Sequence, residues 1–174
     1  LSLVGSLTPP PLGDGSALDV ESRNEQIDAT VAGLLGLVGI ESDPLSGRDH
    51  ILLANLLVHL WEAGTPVDLA TLVGMVQQPP MRKLGVIELD TFFPPKDRLG
   101  LAMKLNGLLA SPAFAAWNQG APLDPATLLT APDGRPRAAV ISLAHLDDAE
   151  RQFVLARLLS ELIGWMRRQP GTSS

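Results

Sequence analysis

The sequence contains no cysteine and no tyrosine, and only seven of its 174 residues are phenylalanine or tryptophan. The lack of cysteine excludes disulfides, thiol nucleophiles and thiolate metal ligands. No uninterrupted apolar run reaches the roughly 18 residues that a membrane-spanning helix needs. These absences predict a soluble, cytoplasmic protein without a membrane span.

Leucine dominates what is present, with 32 copies, beside 16 glycines and 15 prolines. This composition is typical of a mainly α protein whose helices are short and frequently interrupted. Thirteen basic residues against nineteen acidic ones give a net charge of −6, and the ten arginines are scattered along the chain. The chain alone therefore lacks the basic surface that is typical of a nucleic-acid-binding protein.

Apolar spacing predicts a first helix from Asp19 to about Gly39. It also predicts a second, buried helix that runs to about Ala63. Ser46 and Asp49 would begin this second helix as a capping box with an aspartate in place of the usual glutamate. The apolar face of the first consists of Ile27, Val31, Leu34, Leu35 and Val38. Asp68 is a suitable N-cap for a third helix that ends before Pro79. Pro95 is suited to the first turn of a fourth helix, which ends at Ser111. The apolar face of the fourth consists of Leu99, Ala102, Leu105, Leu108 and Leu109.

Shorter elements connect these helices. Residues 84–89 are compatible with a short strand or an extended connector, and Phe92 and Phe93 are predicted to anchor the chain between helices. Short helices are expected over 113–117 and over 125–129, the second capped by Asp124.

The hydrophobic pattern changes after the turn at Pro132-Asp133-Gly134. Residues 138–143 form a continuous apolar run of strand length, and a long helix is predicted over 147–168. A lone strand cannot satisfy its own backbone hydrogen bonds. We therefore expect its neighbours to lie outside this chain or to come from another chain, with residues 86–89 as a short internal candidate.

The histidines are the first candidates for a metal site. His50 and His59 are nine residues apart, which places them on opposite sides of a helix, so they are not expected to share an ion. His59 and Glu62 are expected to form a surface pair. Ser142 and His145 follow the predicted strand, where α/β sheets bind ligands, but a third catalytic group and a G-x-S-x-G motif are absent.

Neither the phosphate-binding motif G-x-x-x-x-G-K-[ST] nor G-x-G-x-x-G occurs in the sequence. Gly33, Gly36 and Gly39 are spaced for close approach of helices rather than for phosphate binding. The acidic clusters Asp147-Asp148-Glu150 and Glu88-Asp90 are open to a metal or acid/base reading, but capping of helices is favoured. No catalytic, cofactor-binding or metal-binding residue is therefore predicted in this chain.

Three stretches of the sequence resemble a known family of proteins. They are GLLGLVGIESDPLSGRDHILLANLL at 33–57, KLGVIELDTFFPPKDRLGLAMKLNGLLASPAF at 83–114 and PDGRPRAAVISLAHLDDAERQFVLARLLSELIGWMRRQPGTSS at 132–174. Together they are similar to bacterial ATP-binding proteins of the HerA/FtsK-like P-loop ATPase superfamily, which are helicase-like or translocase-like motors.

The resemblance implies a region between the two nucleotide motifs of such an ATPase, and the first residue, Leu1, is expected to follow excision or processing of a longer chain. It implies a helical insertion domain over 17–131 and a strand-helix unit of the P-loop core over 132–174. Pro9-Pro10-Pro11 together with Gly13 and Gly15 predict an extended arm over 1–16. ATP and Mg²⁺ would belong to the parent protein and not to this fragment. The expected partners are the rest of the parent and a second copy of the chain, with DNA contacted only through the parent.

Three functions remain open at this stage. The first is a non-catalytic regulatory or docking module of the ATPase, inactive when isolated. The second is a free-standing helical domain whose apolar stripe on 147–168 receives a partner helix. An enzyme that acts through Ser142 and His145 is the weakest of the three.

Overall fold

The computed structural model describes Leu7 and residues 17–64, 67–115, 123–167 and 169, and helices occupy most of these residues. The predicted mainly α class is confirmed. In chain order the elements are α1 (Ala17–Leu37), α2 (Arg48–Glu62), α3 (Leu69–Gln77), β1 (Lys83–Leu84), β2 (Ile87–Glu88), α4 (Leu89–Phe92), α5 (Pro95–Ala110), α6 (Pro112–Ala115), α7 (Pro125–Leu129) and α8 (Asp148–Arg167). Apart from Leu7, the predicted arm over 1–16 lies outside the described residues, as does the end of the short helix predicted over 113–117.

Helix α2 lies at the centre of the core, between α1 and α3. Its buried residues are His50, Leu52, Leu53, Leu56, Leu57, Leu60 and Trp61. The predicted apolar face of α1 is also buried, from Ile27 to Leu35, because its residues recur at helical spacing. Helix α3 packs in turn against α5. The sequence pattern thus predicted the α1 and α2 contributions to the core.

The ambiguous segment over 84–89 is a small antiparallel hairpin in which Lys83 faces Glu88 and Leu84 faces Ile87. Gly85 makes the turn with a positive φ of 59°, a conformation that glycine adopts without steric cost. The hairpin leads into α4, after which Phe93 is buried. Phe93 is therefore the anchor that the sequence predicted at this position.

Aspartate side chains begin three of the helices, as predicted. The Asp68 carboxylate accepts a hydrogen bond from the Thr71 amide at 2.7 Å, which holds the pKa of this carboxyl below its usual range. Asp124 accepts from two amides of α7. At α8 the Asp147 carboxylate accepts from the Glu150 amide at 2.8 Å, and the Glu150 carboxylate accepts from the Asp147 amide at 3.0 Å. This reciprocal pair is a capping box.

The predicted capping box of the second helix was wrong. Helix α2 begins at Arg48, its N-cap is Gly47, and no side chain caps it. The Ser46 hydroxyl instead donates to Asp43 within the preceding loop. Local hydrogen bonds of this kind compete with helix capping.

Two apolar patterns were also misassigned. Helix α5 buries Arg98, Leu101, Ala102 and Leu105, so its buried face is rotated and Leu99 is half exposed. The strand predicted over 138–143 is not formed. These residues have no regular secondary structure and are mostly exposed. They do not pair with the β1–β2 hairpin, which is the sheet found in the described part of the chain.

Helix α8 lies antiparallel along α1. Phe153 near its start contacts Gly33, and Arg167 in its last turn donates to the Ser22 hydroxyl at 3.1 Å. A Cβ on Gly33 would lie 2.5 Å from Phe153 Cδ2. The sequence predicted that Gly33, Gly36 and Gly39 allow helices to approach closely, and this is found at Gly33. Gly36 has no such neighbour, and Gly39 follows α1 with a positive φ of 68°.

We expect Gly33→Ala to lower the free energy of unfolding by about 1–3 kcal/mol, because the buried Phe153 ring has to move. Gly36→Ala on the same helix is the matched control, since no atom lies within 4 Å of its Cβ position. This control is expected to raise stability by about 0.5–1 kcal/mol through helix propensity. Urea denaturation of both variants measures the difference, and equal effects would contradict the tight α1–α8 contact.

Candidate functional site

His50 and His59, the two histidines that the sequence offered as metal ligands, differ in burial. His50 is buried on α2, whereas His59 is exposed on the same helix. Among the described residues, no three side chains of metal-ligating type are grouped to hold an ion. His59 and Glu62 are both exposed, and the part of the chain that the structure describes shows no ion pair between them.

Ser142 and His145 lie in the irregular segment before α8, and both are exposed. Within the described residues, no hydrogen bond joins one to the other. Their arrangement therefore offers no activated nucleophile.

The acidic clusters have structural partners. Asp147 and Glu150 form the capping box of α8, and Glu88 pairs with Lys83 at 3.1 Å. Asp90, for which capping was predicted, instead accepts from buried Arg98 at 2.8 Å. Arg98 also donates to the Phe93 carbonyl at 2.8 Å. This carboxylate thus holds the turn between α4 and α5.

A hydrogen-bonded chain of three side chains links α1, α2 and the loop between them. His50 Nε2 lies 3.0 Å from the Asp28 carboxylate, and His50 Nδ1 lies 2.7 Å from the Ser42 hydroxyl. The His50 side chain is 1% exposed and that of Asp28 is 50% exposed. An acid, a histidine and a serine in this order are also the components of nucleophilic triads.

The loop between α1 and α2, which contains Ser42, is held by its own hydrogen bonds. The Asp43 carboxylate accepts from the amides of Leu45 and Ser46 at 2.9 and 3.1 Å, and from the Ser46 hydroxyl. These bonds lower the pKa of the Asp43 carboxyl, and the bond from the Ser46 hydroxyl has the largest effect. Gly47 closes the loop, since a Cβ there would lie 2.7 Å from the Asp43 carbonyl oxygen.

The geometry of Asp28, His50 and Ser42 favours an anchoring role over catalysis. In hydrolytic triads Nε2 faces the serine and Nδ1 faces the acid, whereas the two nitrogens are exchanged here. The imidazole is almost fully buried, so its nitrogens are not open to a leaving group. The small cavity between α1 and α8, lined by Thr30, Phe153 and Arg157 among others, holds about one water molecule and does not include Ser42.

We expect His50→Phe to lower the free energy of unfolding by about 1–3 kcal/mol, because it keeps a ring but removes both hydrogen bonds. His59→Phe is the matched control, since it makes the same change at an exposed position of α2. The control is expected to change stability by less than about 0.5 kcal/mol. Thermal and urea unfolding measure both variants, and a neutral His50→Phe would show that the network does not hold the loop.

Sequence reasoning missed this network because its members lie on different elements. Only one signal was available, since His50 shares a helical face with Leu53 and Leu57 and is therefore expected to be buried. The partners Asp28 and Ser42 are 22 and 8 residues away in sequence. No helical or strand period relates them to His50.

An exposed apolar surface extends along α8. We define the α8 stripe as Leu155, Leu159, Ile163 and Met166, which are 42%, 55%, 49% and 64% exposed. Their spacing places them on one side of the helix. Opposite this stripe, Phe153 and Val154 are buried and pack toward α1.

The apolar segment before α8 is also uncovered. Val140 is 95% exposed, and most of its neighbours over 138–143 are exposed. Backbone hydrogen bonds between described residues include none from 138–142. The α8 stripe and this segment are therefore the candidate interaction surfaces of the described chain, because exposed apolar surface marks protein contacts.

No family model, curated protein or solved structure compared with this chain matches it. Among the described helices, none is both long and apolar enough to cross a bilayer.

Proposed function

We propose that this chain is a non-catalytic helical module of a HerA/FtsK-like P-loop ATPase, with a regulatory or docking role in a motor that moves DNA or protein. One observation carries the proposal: the α8 stripe and residues 138–143 are exposed together, at the end of a chain whose other helices bury a shared core. In an α/β protein, a strand and the apolar face of the following helix cover each other across a sheet.

The remainder of the parent ATPase is the proposed partner of this surface. Residues 138–143 would then add to the sheet of the parent, and the α8 stripe would cover that sheet. In this proposal ATP and Mg²⁺ bind to the parent, any DNA contact is made through the parent, and the location is cytoplasmic. The helices over 17–131 act as an insertion that docks or regulates.

The chain of 174 residues is expected to bind no ATP, because it lacks the glycine-rich loop and the lysine that hold phosphates. Calorimetric titration with Mg²⁺-ATP measures this directly. A dissociation constant tighter than about 100 μM would reveal a nucleotide site and contradict the proposed non-catalytic role. A chain extended to include both nucleotide motifs of the parent serves as the positive control.

A second function is favoured by the spacing of the α8 stripe alone. Residues at i, i+4, i+8 and i+11 match the face that helices present to a partner helix. A free-standing interaction domain would use this face without any ATPase. Both functions predict that charge introduced into the stripe abolishes binding, but only the first predicts ATP hydrolysis by the extended chain.

A further inference from the structure

Leu7 is attached to the corner between α2 and α3. Its side chain is 1% exposed. Its amide donates to the Val67 carbonyl at 2.9 Å, and its carbonyl accepts from the Trp61 indole Nε1 at 2.8 Å. Both backbone polar groups of this one residue are thus paired with the corner, which we call the Leu7 site and define by Trp61 and Val67.

These contacts are those by which proteins recognise extended peptides. Main-chain hydrogen bonds supply affinity, and a pocket for one apolar side chain supplies selectivity. With Leu7 in place, Trp61 and Val67 are only 7% and 3% exposed, and departure of Leu7 would break the hydrogen bonds of both the indole N–H and the carbonyl. The site therefore favours occupation by an extended backbone that carries a leucine.

The segment that supplies Leu7 differs in composition from the helices. Residues 8–16 include Pro9, Pro10 and Pro11 and the glycines Gly13 and Gly15. Proline disrupts helices and glycine loosens the chain, so this composition is typical of a linker. Nine residues of the sequence, 8–16, separate Leu7 from the start of α1, and Leu7 bonds to a tryptophan 54 residues away.

We propose that the Leu7 site is a peptide-binding site for an extended, leucine-bearing segment, and that Leu7 is its ligand within the same chain. The contact of Leu7 with Trp61 and Val67 is reversible in this proposal. This inference is independent of the proposed ATPase role, because it rests only on Leu7, Trp61 and Val67.

The test empties the site in the full chain and refills it from outside. Leu7→Asp removes the apolar side chain, and the probe is a synthetic peptide with the sequence of residues 1–12. The Trp61 indole N–H, followed in ¹H–¹⁵N spectra, reports occupation. We expect saturable binding with a dissociation constant of about 1 mM or tighter, with the indole signal returning to its position in the unaltered chain.

Two controls establish selectivity. The same peptide with Leu7→Asp is expected to leave the indole signal unchanged. The unaltered chain is expected to bind the probe more weakly, because its own Leu7 competes at an effective concentration of about millimolar; the loss is about twofold for a dissociation constant of about 1 mM and about tenfold for one of about 0.1 mM. A folded Leu7→Asp chain that does not respond to the probe would show that Leu7 is an ordinary core residue.

Hydrogen exchange in the unaltered chain decides the matter if Leu7→Asp does not fold. A contact of Leu7 that opens by itself gives the Trp61 indole at least about tenfold less protection than the core amides of Leu56 and Leu57. The Ala63 amide, bonded to the His59 carbonyl at 3.1 Å, is the control for fraying of the α2 end and is expected to be more protected than the indole. Protection of the indole equal to that of the core amides, or equal to that of Ala63, would overturn the proposal.

Discussion

Replacement of Leu56 or Leu57 by alanine is expected to lower the free energy of unfolding by about 2–5 kcal/mol. Both side chains are 0% exposed at the centre of α2, which packs against both α1 and α3. Each truncation loses the transfer free energy of the removed atoms and leaves a cavity that the surrounding helices fill only in part.

Leu45→Ala is the matched control, because this leucine is 92% exposed in the loop before α2. Its expected effect is within about 0.5 kcal/mol. Urea denaturation of the three variants gives the comparison. A loss below about 1 kcal/mol at both buried positions would show that α2 is peripheral and that the core has been wrongly placed.

The second large effect is expected in the association state of the chain. With the α8 stripe and residues 138–143 uncovered, the chain is expected to self-associate at about 100 μM. The paired changes Leu159→Glu and Ile163→Glu place two charges in the stripe and are expected to restore the monomer. Light scattering of both forms measures the change in mass.

Val86→Glu is the control for this experiment, because Val86 is 92% exposed at the hairpin turn and lies outside the stripe. Its mass distribution is expected to match that of the unaltered chain. Hydrogen exchange adds an independent observation over 138–143, where amides are expected to be protected only in the associated form. A chain that is monomeric at all concentrations, with these amides protected, would contradict the uncovered surface.

Local patterns accounted for the parts of the fold that are set by local physics. The spacing from Ile27 to Leu35 predicted the buried face of α1, and Asp68 and Asp124 predicted helix starts, because caps act within a few residues. Residues 138–143 show the opposite case. Their composition favours a strand, but a strand forms only where a partner supplies hydrogen bonds, and the composition of a segment does not provide that partner.

The Asp28–His50–Ser42 network and the Leu7 site were beyond prediction for a related reason. Each joins residues that meet only after the helices pack, such as Leu7 and Trp61. The rotation of the buried face of α5 also depends on contacts that form only when the elements pack. Buried Arg98 pairs with Asp90 and the Phe93 carbonyl, which leaves Leu99 at the surface.

The most direct test of the proposed role compares phosphate release from two chains, the present 174 residues and a chain extended in both directions to include the two nucleotide motifs of the proposed parent. The extended chain is expected to hydrolyse ATP and no longer to self-associate, whereas the shorter chain is expected neither to bind nor to hydrolyse ATP. An extended chain without ATPase activity, together with a shorter chain that is monomeric, would contradict the proposed ATPase module and favour a free-standing helical interaction domain.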